Sequence, residues 1–149
     1  GIDFERIYEQ RYALAARTDH PIFGQGEPVS LEAVTRYGWA AHRNAITRDP
    51  RDTPFGRAGL PPPVLRTLVT SEHLLRPLIL STDLLGYVAL DIIRRDLREG
   101  SIRLIDLPGI TASTPAGLLV RHGANYTAAM HAFCRELRLL CKQRDVRVG

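Results

Sequence analysis

Hydroxyls at the end of an apolar run are the first residues here whose types suggest chemistry. Thr70 and Ser71 follow Val64 to Val69 directly. A Ser or Thr at that place caps a following helix, and the same free N–H groups bind anions. Thr70 and Ser71 are therefore candidates both for capping and for contact with a ligand. His42 stands at the end of a second short apolar run, beside Arg43 and Asn44. It reads equally as a loop histidine or as a ligand contact. Arg17 has a guanidinium suited to a carboxylate in bidentate fashion, although a surface arginine is the plainer reading.

Catalytic and cofactor patterns are not found. Gly24-Gln-Gly26 is followed by Glu-Pro-Val, so a dinucleotide fingerprint fails at its third glycine. There is no phosphate loop of the Gly-x4-Gly-Lys type and no Gly-x-Ser-x-Gly elbow. The five histidines, at 20, 42, 73, 122 and 131, show neither i, i+4 pairing nor cysteine partners at zinc spacing. No catalytic residue, metal ligand or cofactor is assigned, and the chain is not expected to be an enzyme. Cys134 and Cys141 are seven positions apart, about 10.5 Å along a helix. That exceeds disulfide reach; small buried apolar residues in a reducing cytoplasm are the expectation.

Of the 149 residues, 44% are hydrophobic and 24% charged, as in an ordinary globular domain. The net charge of +4 rests almost wholly on arginine, Lys142 being the one lysine. Because the arginines alternate with acids, as in Arg94-Arg-Asp-Leu-Arg-Glu99, they read as a solvated helix face rather than a nucleic-acid patch. No apolar run approaches the roughly 20 residues of a membrane span. Gly1 to Arg6 carries neither a positive segment nor an apolar run, so a leader is not expected there.

The elements that must position these residues alternate. Arg11 to Arg17 reads as a strand, Ser30 as the N-cap of a helix ending at Gly38, and Trp39 to His42 as a short buried strand. Arg43 to Gly59 is a long loop with at most one short helix. After Pro61-Pro-Pro63, Val64 to Val69 is a strand, and a helix follows to about Leu80, with Pro77 expected to kink or end it. Leu84 to Leu90 is a buried strand, Asp91 opens a helix that Gly100 closes, and Ile102 to Leu107 and Gly117 to Arg121 are strands. Asn125 is expected to cap a last helix to about Gln143, its apolar face formed by Met130, Phe133, Leu137 and Leu140. This rhythm implies an α/β fold with a mainly parallel sheet. In such sheets ligands lie beyond the carboxyl ends of strands, which singles out Ala41-His42 and Val69-Thr-Ser71.

In order, these segments resemble one family. Tyr12-Ala-Leu-Ala-Ala-Arg-Thr-Asp-His-Pro21 is similar to the strand and turn that enter the second subdomain of LysR-type effector-binding domains. Ser30 to Trp39, Ala58 to Pro62, Val69-Thr-Ser71, Leu85 to Leu90, Gly100 to Leu104 and Pro115 to Arg121 follow in the family's order. Two departures concern the cleft backbone: Asp83-Leu-Leu-Gly86 replaces the usual Gly-x-Gly, and Asp91 replaces a proline. The resemblance implies a periplasmic-binding-protein-like (type 2) two-lobed fold. Residues 1–17 would be a crossing strand, 18–115 the second lobe, and 116–149 the return strand and helix of the first lobe. It also implies that the helix-turn-helix and the first part of subdomain one lie outside this sequence.

Carried over by position, the ligand contacts would be Thr70 and Ser71 at one strand end and His42, Asn44 and Thr47 at the other. The implied function is sensing a small, carboxylate-bearing effector between two lobes, as part of a homo-oligomeric (dimeric or tetrameric) cytoplasmic transcription regulator. DNA contact would come only through the missing N-terminal domain. The alternative is a fragment of a periplasmic solute-binding protein, which shares the fold.

Overall fold

The computed structural model describes residues 1–43 and 53–146. Six strands are assigned: β1 (Ile2–Arg17), β2 (Trp39–His42), β3 (Leu65–Val69), β4 (Leu85–Ala89), β5 (Ile102–Ile105) and β6 (Ala112–Arg121). The helices are α1 (Leu31–Thr35), α2 (Pro54–Arg57), α3 (Leu75–Ser81), α4 (Leu90–Glu99) and α5 (Ala128–Val146). The chain divides into two compact units: Arg11–Ala112, and Gly1–Gln10 together with Ser113–Gly149.

In the unit Arg11–Ala112 the strand order is β3-β2-β4-β1-β5. β2 runs parallel to both β3 and β4, whereas β1 is antiparallel to β4 and β5. The sheet is therefore mixed, and less parallel than the alternation of elements implied. The period-two pleat divides its residues between two cores. Leu14, Ala16, Trp39 and Leu85 pack on one face with Ile22, Val34 and Phe55. Ala15, Ala40, Val69 and Val88 pack on the other with Leu75, Ile79 and Ile93. α3 and α4 thus cover one face, while α1 and α2 cover the other. Each fully buried leucine, isoleucine or valine contributes about 1.5–3 kcal/mol, so both faces are firmly held.

Local signals explain most boundaries. Ser30 Oγ accepts the Ala33 N–H at 3.1 Å and starts α1. α4 ends at Gly100, whose φ of 73° is a left-handed conformation that glycine adopts at no steric cost.

Four local expectations need correction. Neither hydroxyl at positions 70 and 71 starts an α-helix. The chain enters a 3₁₀ turn, Glu72–Leu74, with Ser71 at its cap position and no side-chain cap bond; α3 begins only at Leu75. Pro77 therefore falls in the first turn of α3, where its missing N–H has no partner to lose, so it neither kinks nor ends the helix. Thr127, not Asn125, caps α5, its Oγ1 accepting the Met130 N–H at 3.3 Å. Finally, Asp96 breaks the reading of Arg94 to Glu99 as a wholly solvated face, because it is buried.

In the second unit, the first part of β1 pairs with β6. The His122 N–H donates to the Gly1 carbonyl at one end, and Ser113 Oγ bonds Glu9 at the other, so the strands run in opposite directions. Arg138 of α5 holds both carboxylate oxygens of Glu5, at 2.6 and 2.7 Å. The apolar face expected on α5 is not its buried one. Met130, Phe133 and Leu140 are 44%, 63% and 59% exposed, whereas Cys134 and Cys141 are buried. Among the described residues of this unit, those two cysteines are the only buried hydrophobic side chains.

Candidate effector site

Parallel pairing determines which residues meet. His42 at the end of β2 is in register with Val69 at the end of β3. His42 Nε2–H then reaches the Thr70 carbonyl and donates to it at 3.1 Å. A carbonyl only accepts, so the ring nitrogen facing it carries the proton. Thr70 and Ser71 are exposed at this edge and His42 is half-buried. Two strand ends that are 28 residues apart in sequence are thereby locked together. Asn44 and Thr47, the other two candidates, lie outside the described residues.

Further residues reach the same edge. β4 is parallel to β2, so Ala89 marks its carboxyl end, and antiparallel pairing sets Tyr12 of β1 opposite Ala89. The Tyr12 hydroxyl donates to Glu72 Oε1 at 2.8 Å. Tyr12 also stacks on Tyr87, with ring centroids 5.8 Å apart and planes inclined by 20°. Neighbouring strands are about 4.8 Å apart, so β1 and β3 are separated by about 14 Å across β4 and β2. The 3₁₀ turn after β3 carries Glu72 back across that interval to meet Tyr12. Tyr12, Tyr87 and Glu72 were not singled out from the sequence. Glu72 adjoins Ser71, which was a usable signal; the tyrosines give none until β1 and β4 are paired.

The chemistry of the edge is that of binding. It offers hydroxyls at Thr70 and Ser71, an imidazole at His42, an acceptor carboxylate at Glu72 and two aromatic faces. Among the described residues, no group of three His, Cys, Asp or Glu side chains could hold a metal ion. No helix among them is long and apolar enough to cross a membrane.

Arg17, considered as a carboxylate ligand, is engaged by the protein's own acids. Its Nη1 lies 2.5 Å from Asp19 and its Nη2 2.6 Å from Asp83. The hydrogen bond from Arg17 is the main reason the Asp19 carboxyl is held below its ordinary range. These residues border a surface depression of about 370 Å³ with Ser81 and Thr82. A second depression, of about 260 Å³, is lined by residues including Gln25, Glu27, Ser30 and Arg36. Neither includes His42, Thr70 or Ser71.

Known proteins share the family and the fold of this chain. A family model described as the LysR substrate binding domain matches residues 1–142. No curated protein sequence matches the chain. Among solved structures, the effector domain of the transcriptional regulator AmpR of Pseudomonas aeruginosa superposes with a TM-score of 0.74 at 16% identity, over 100% of this chain and 70% of that one. The cofactor-binding domain of the Cbl transcriptional regulator gives 0.67 at 19% identity, over 91% and 58%. Full-length HypT from Salmonella typhimurium, a hypochlorite-specific LysR-type regulator, gives 0.60 at 13% identity, over 95% of this chain and 47% of that one. At these identities the likeness is one of fold, of the periplasmic-binding-protein-like type. The chain spans between about half and 70% of these proteins' lengths.

Proposed function

The chain belongs to the LysR substrate-binding domain family, and from that premise we propose that the edge formed by His42, Thr70 and Ser71 is one half of an effector site. The observation that carries the reading is the 3.1 Å bond between His42 Nε2 and the Thr70 carbonyl. It brings two strand ends and two exposed hydroxyls to the carboxyl edge of the sheet, where ligands of open α/β sheets bind. Asn44 and Thr47 complete the proposed set. The effector is a small metabolite bearing a carboxylate, because hydroxyls and backbone N–H groups suit that anion.

In the whole regulator, residues 18–115 act as the second lobe, with the crossing strand before them and the return strand and helix after. The effector binds between the lobes and biases a DNA-bound homo-oligomer, with DNA held by an N-terminal domain outside this sequence. Such a regulator works in the cytoplasm. The structures compared above are transcription regulators or domains of them, which supports this reading over a transporter's solute-binding protein.

The test is Thr70→Val in the full-length regulator. Induction in a reporter assay should be blunted, while DNA affinity without effector stays nearly unchanged. Unaltered induction removes Thr70 from the site.

A further inference from the structure

We infer that Glu72 selects effectors that carry a protonated amine as well as an acid, so that the site takes a small zwitterion rather than a simple carboxylate. The inference rests on the strand-end effector site proposed above and names its ligand class.

The Tyr12–Glu72 hydrogen bond is made between residues 60 positions apart, along the edge where β2 and β4 end. It holds a carboxylate beside Thr70 and Ser71. Glu72 is half-buried, and among the described residues Tyr12 is its only hydrogen-bond donor, through Oε1. Ionised carboxylate is acceptor-only, so whatever meets Glu72 must donate. A ligand carboxylate seated at the Thr70 and Ser71 hydroxyls would stand close to this negative charge and be repelled by it. A protonated amine on the same ligand converts that repulsion into a charge-assisted hydrogen bond.

The stacked rings add a second, independent preference for a cation. Tyr12 and Tyr87 lie nearly parallel, 5.8 Å apart, at the same edge. The face of a tyrosine ring attracts an ammonium group through its quadrupole. Carboxylate and ring faces together make a receptor for an amine, while the Thr70 and Ser71 hydroxyls receive the acid. Tyr12 is a positioning residue here: its hydroxyl fixes the rotamer of Glu72.

The experiment uses the full-length regulator and a panel of L-amino acids, each with its N-acetyl derivative and its 2-keto acid, followed by thermal shift and then calorimetry. At least one amino acid should bind, and its N-acetyl and keto counterparts should bind at least about tenfold more weakly, the scale of one charge-assisted contact. Glu72→Gln, checked for folding by circular dichroism, should erase that ratio, and Tyr12→Phe should reduce it. Thr70→Val should weaken all bound forms alike. Keto acids that bind as well as amino acids, with no effect of Glu72→Gln, would overturn the inference while leaving the site intact if Thr70→Val still weakens them. A panel in which no amino acid binds also overturns it. If compounds bind and Thr70→Val alters none, the effector-site reading itself fails.

Discussion

Arg76 on α3 grips both carboxylate oxygens of Asp96 on α4, at 2.8 Å through Nε and 2.7 Å through Nη2. Asp96 is 1% exposed, while the arginine side chain is 45% exposed. Ser101 Oγ completes the arrangement at 3.3 Å from Asp96 Oδ1. The pair joins the two helices that cover one face of the sheet. A carboxylate so deeply buried persists as a charge only because its partner and its hydrogen bonds replace water.

Asp96→Asn should therefore cost about 2–3 kcal/mol of stability near neutral pH, because it removes a buried charge-assisted pair. The hydrogen bonds from Arg76 hold the Asp96 carboxyl below its ordinary range, against the opposing effect of burial. A folded-state pKa below the unfolded one means the unfolded chain binds more protons. The stabilisation is then complete above the ordinary aspartate range, about pH 4, and is lost as pH falls through the lower folded value. Urea unfolding of the native chain and Asp96→Asn should show a constant gap from about pH 5 to 8 that closes at lower pH. A gap that widens on acidification contradicts this account.

Gly86→Ala should destabilise the sheet–helix contact. A Cβ at Gly86 would lie 2.2 Å from Ile79 Cδ1 and 2.4 Å from its Cγ1. Ile79 is fully buried on α3, so relief requires its side chain to change rotamer within the packed core or α3 to move off β4. The expected loss is about 1–3 kcal/mol, as for overpacked cores, read as a lower denaturant midpoint. An unchanged midpoint would show that Ile79 repacks freely.

His20 holds the turn after β1 through both ring nitrogens. Its Nδ1 accepts the Ile22 N–H at 3.0 Å, and its Nε2–H donates to the Asp83 carbonyl at 3.1 Å. It is 2% exposed. His20→Ala leaves two polar backbone groups without their partner and should cost about 1–3 kcal/mol. His20→Asn should recover part of this, since a short amide can accept the N–H two residues on. Amide hydrogen exchange at Ile22 tests it: exchange should be fastest in the alanine variant and intermediate with asparagine.

Phe133→Glu should reduce self-association of the chain with little cost to its stability. The ring is 63% exposed beside exposed Met130 and Leu140 on α5, and contiguous apolar surface of this kind promotes association. Sedimentation velocity should show a shift toward monomer across a concentration series. An unchanged distribution would mean that this face takes no part in self-association.

Residue patterns within single segments were enough to identify much of this protein. Ser30 caps a helix, Gly100 ends one, and Trp39–His42 is a buried strand, because capping, left-handed glycine and apolar runs act within a few residues. The ordered set of segments carried the family and the α/β class, and it pointed to the strand ends bearing His42, Thr70 and Ser71. Other features depended on partners distant in sequence. Asp96 sits in a run of charges that reads as solvated, and only the packing of α3 brings Arg76 to it. The apolar periodicity of Met130, Phe133 and Leu140 is genuine helical spacing, yet burial falls on Cys134 and Cys141. Glu72 is marked only by its place beside Ser71, and nothing in the sequence links it to Tyr12 at a separation of 60 residues; antiparallel pairing of β1 with β4 and the returning 3₁₀ turn bring them together. Local conformation is thus determined by short-range sterics and hydrogen bonds that the sequence displays. Which side chains share an edge depends on strand order and register, which exist only once the sheet has formed.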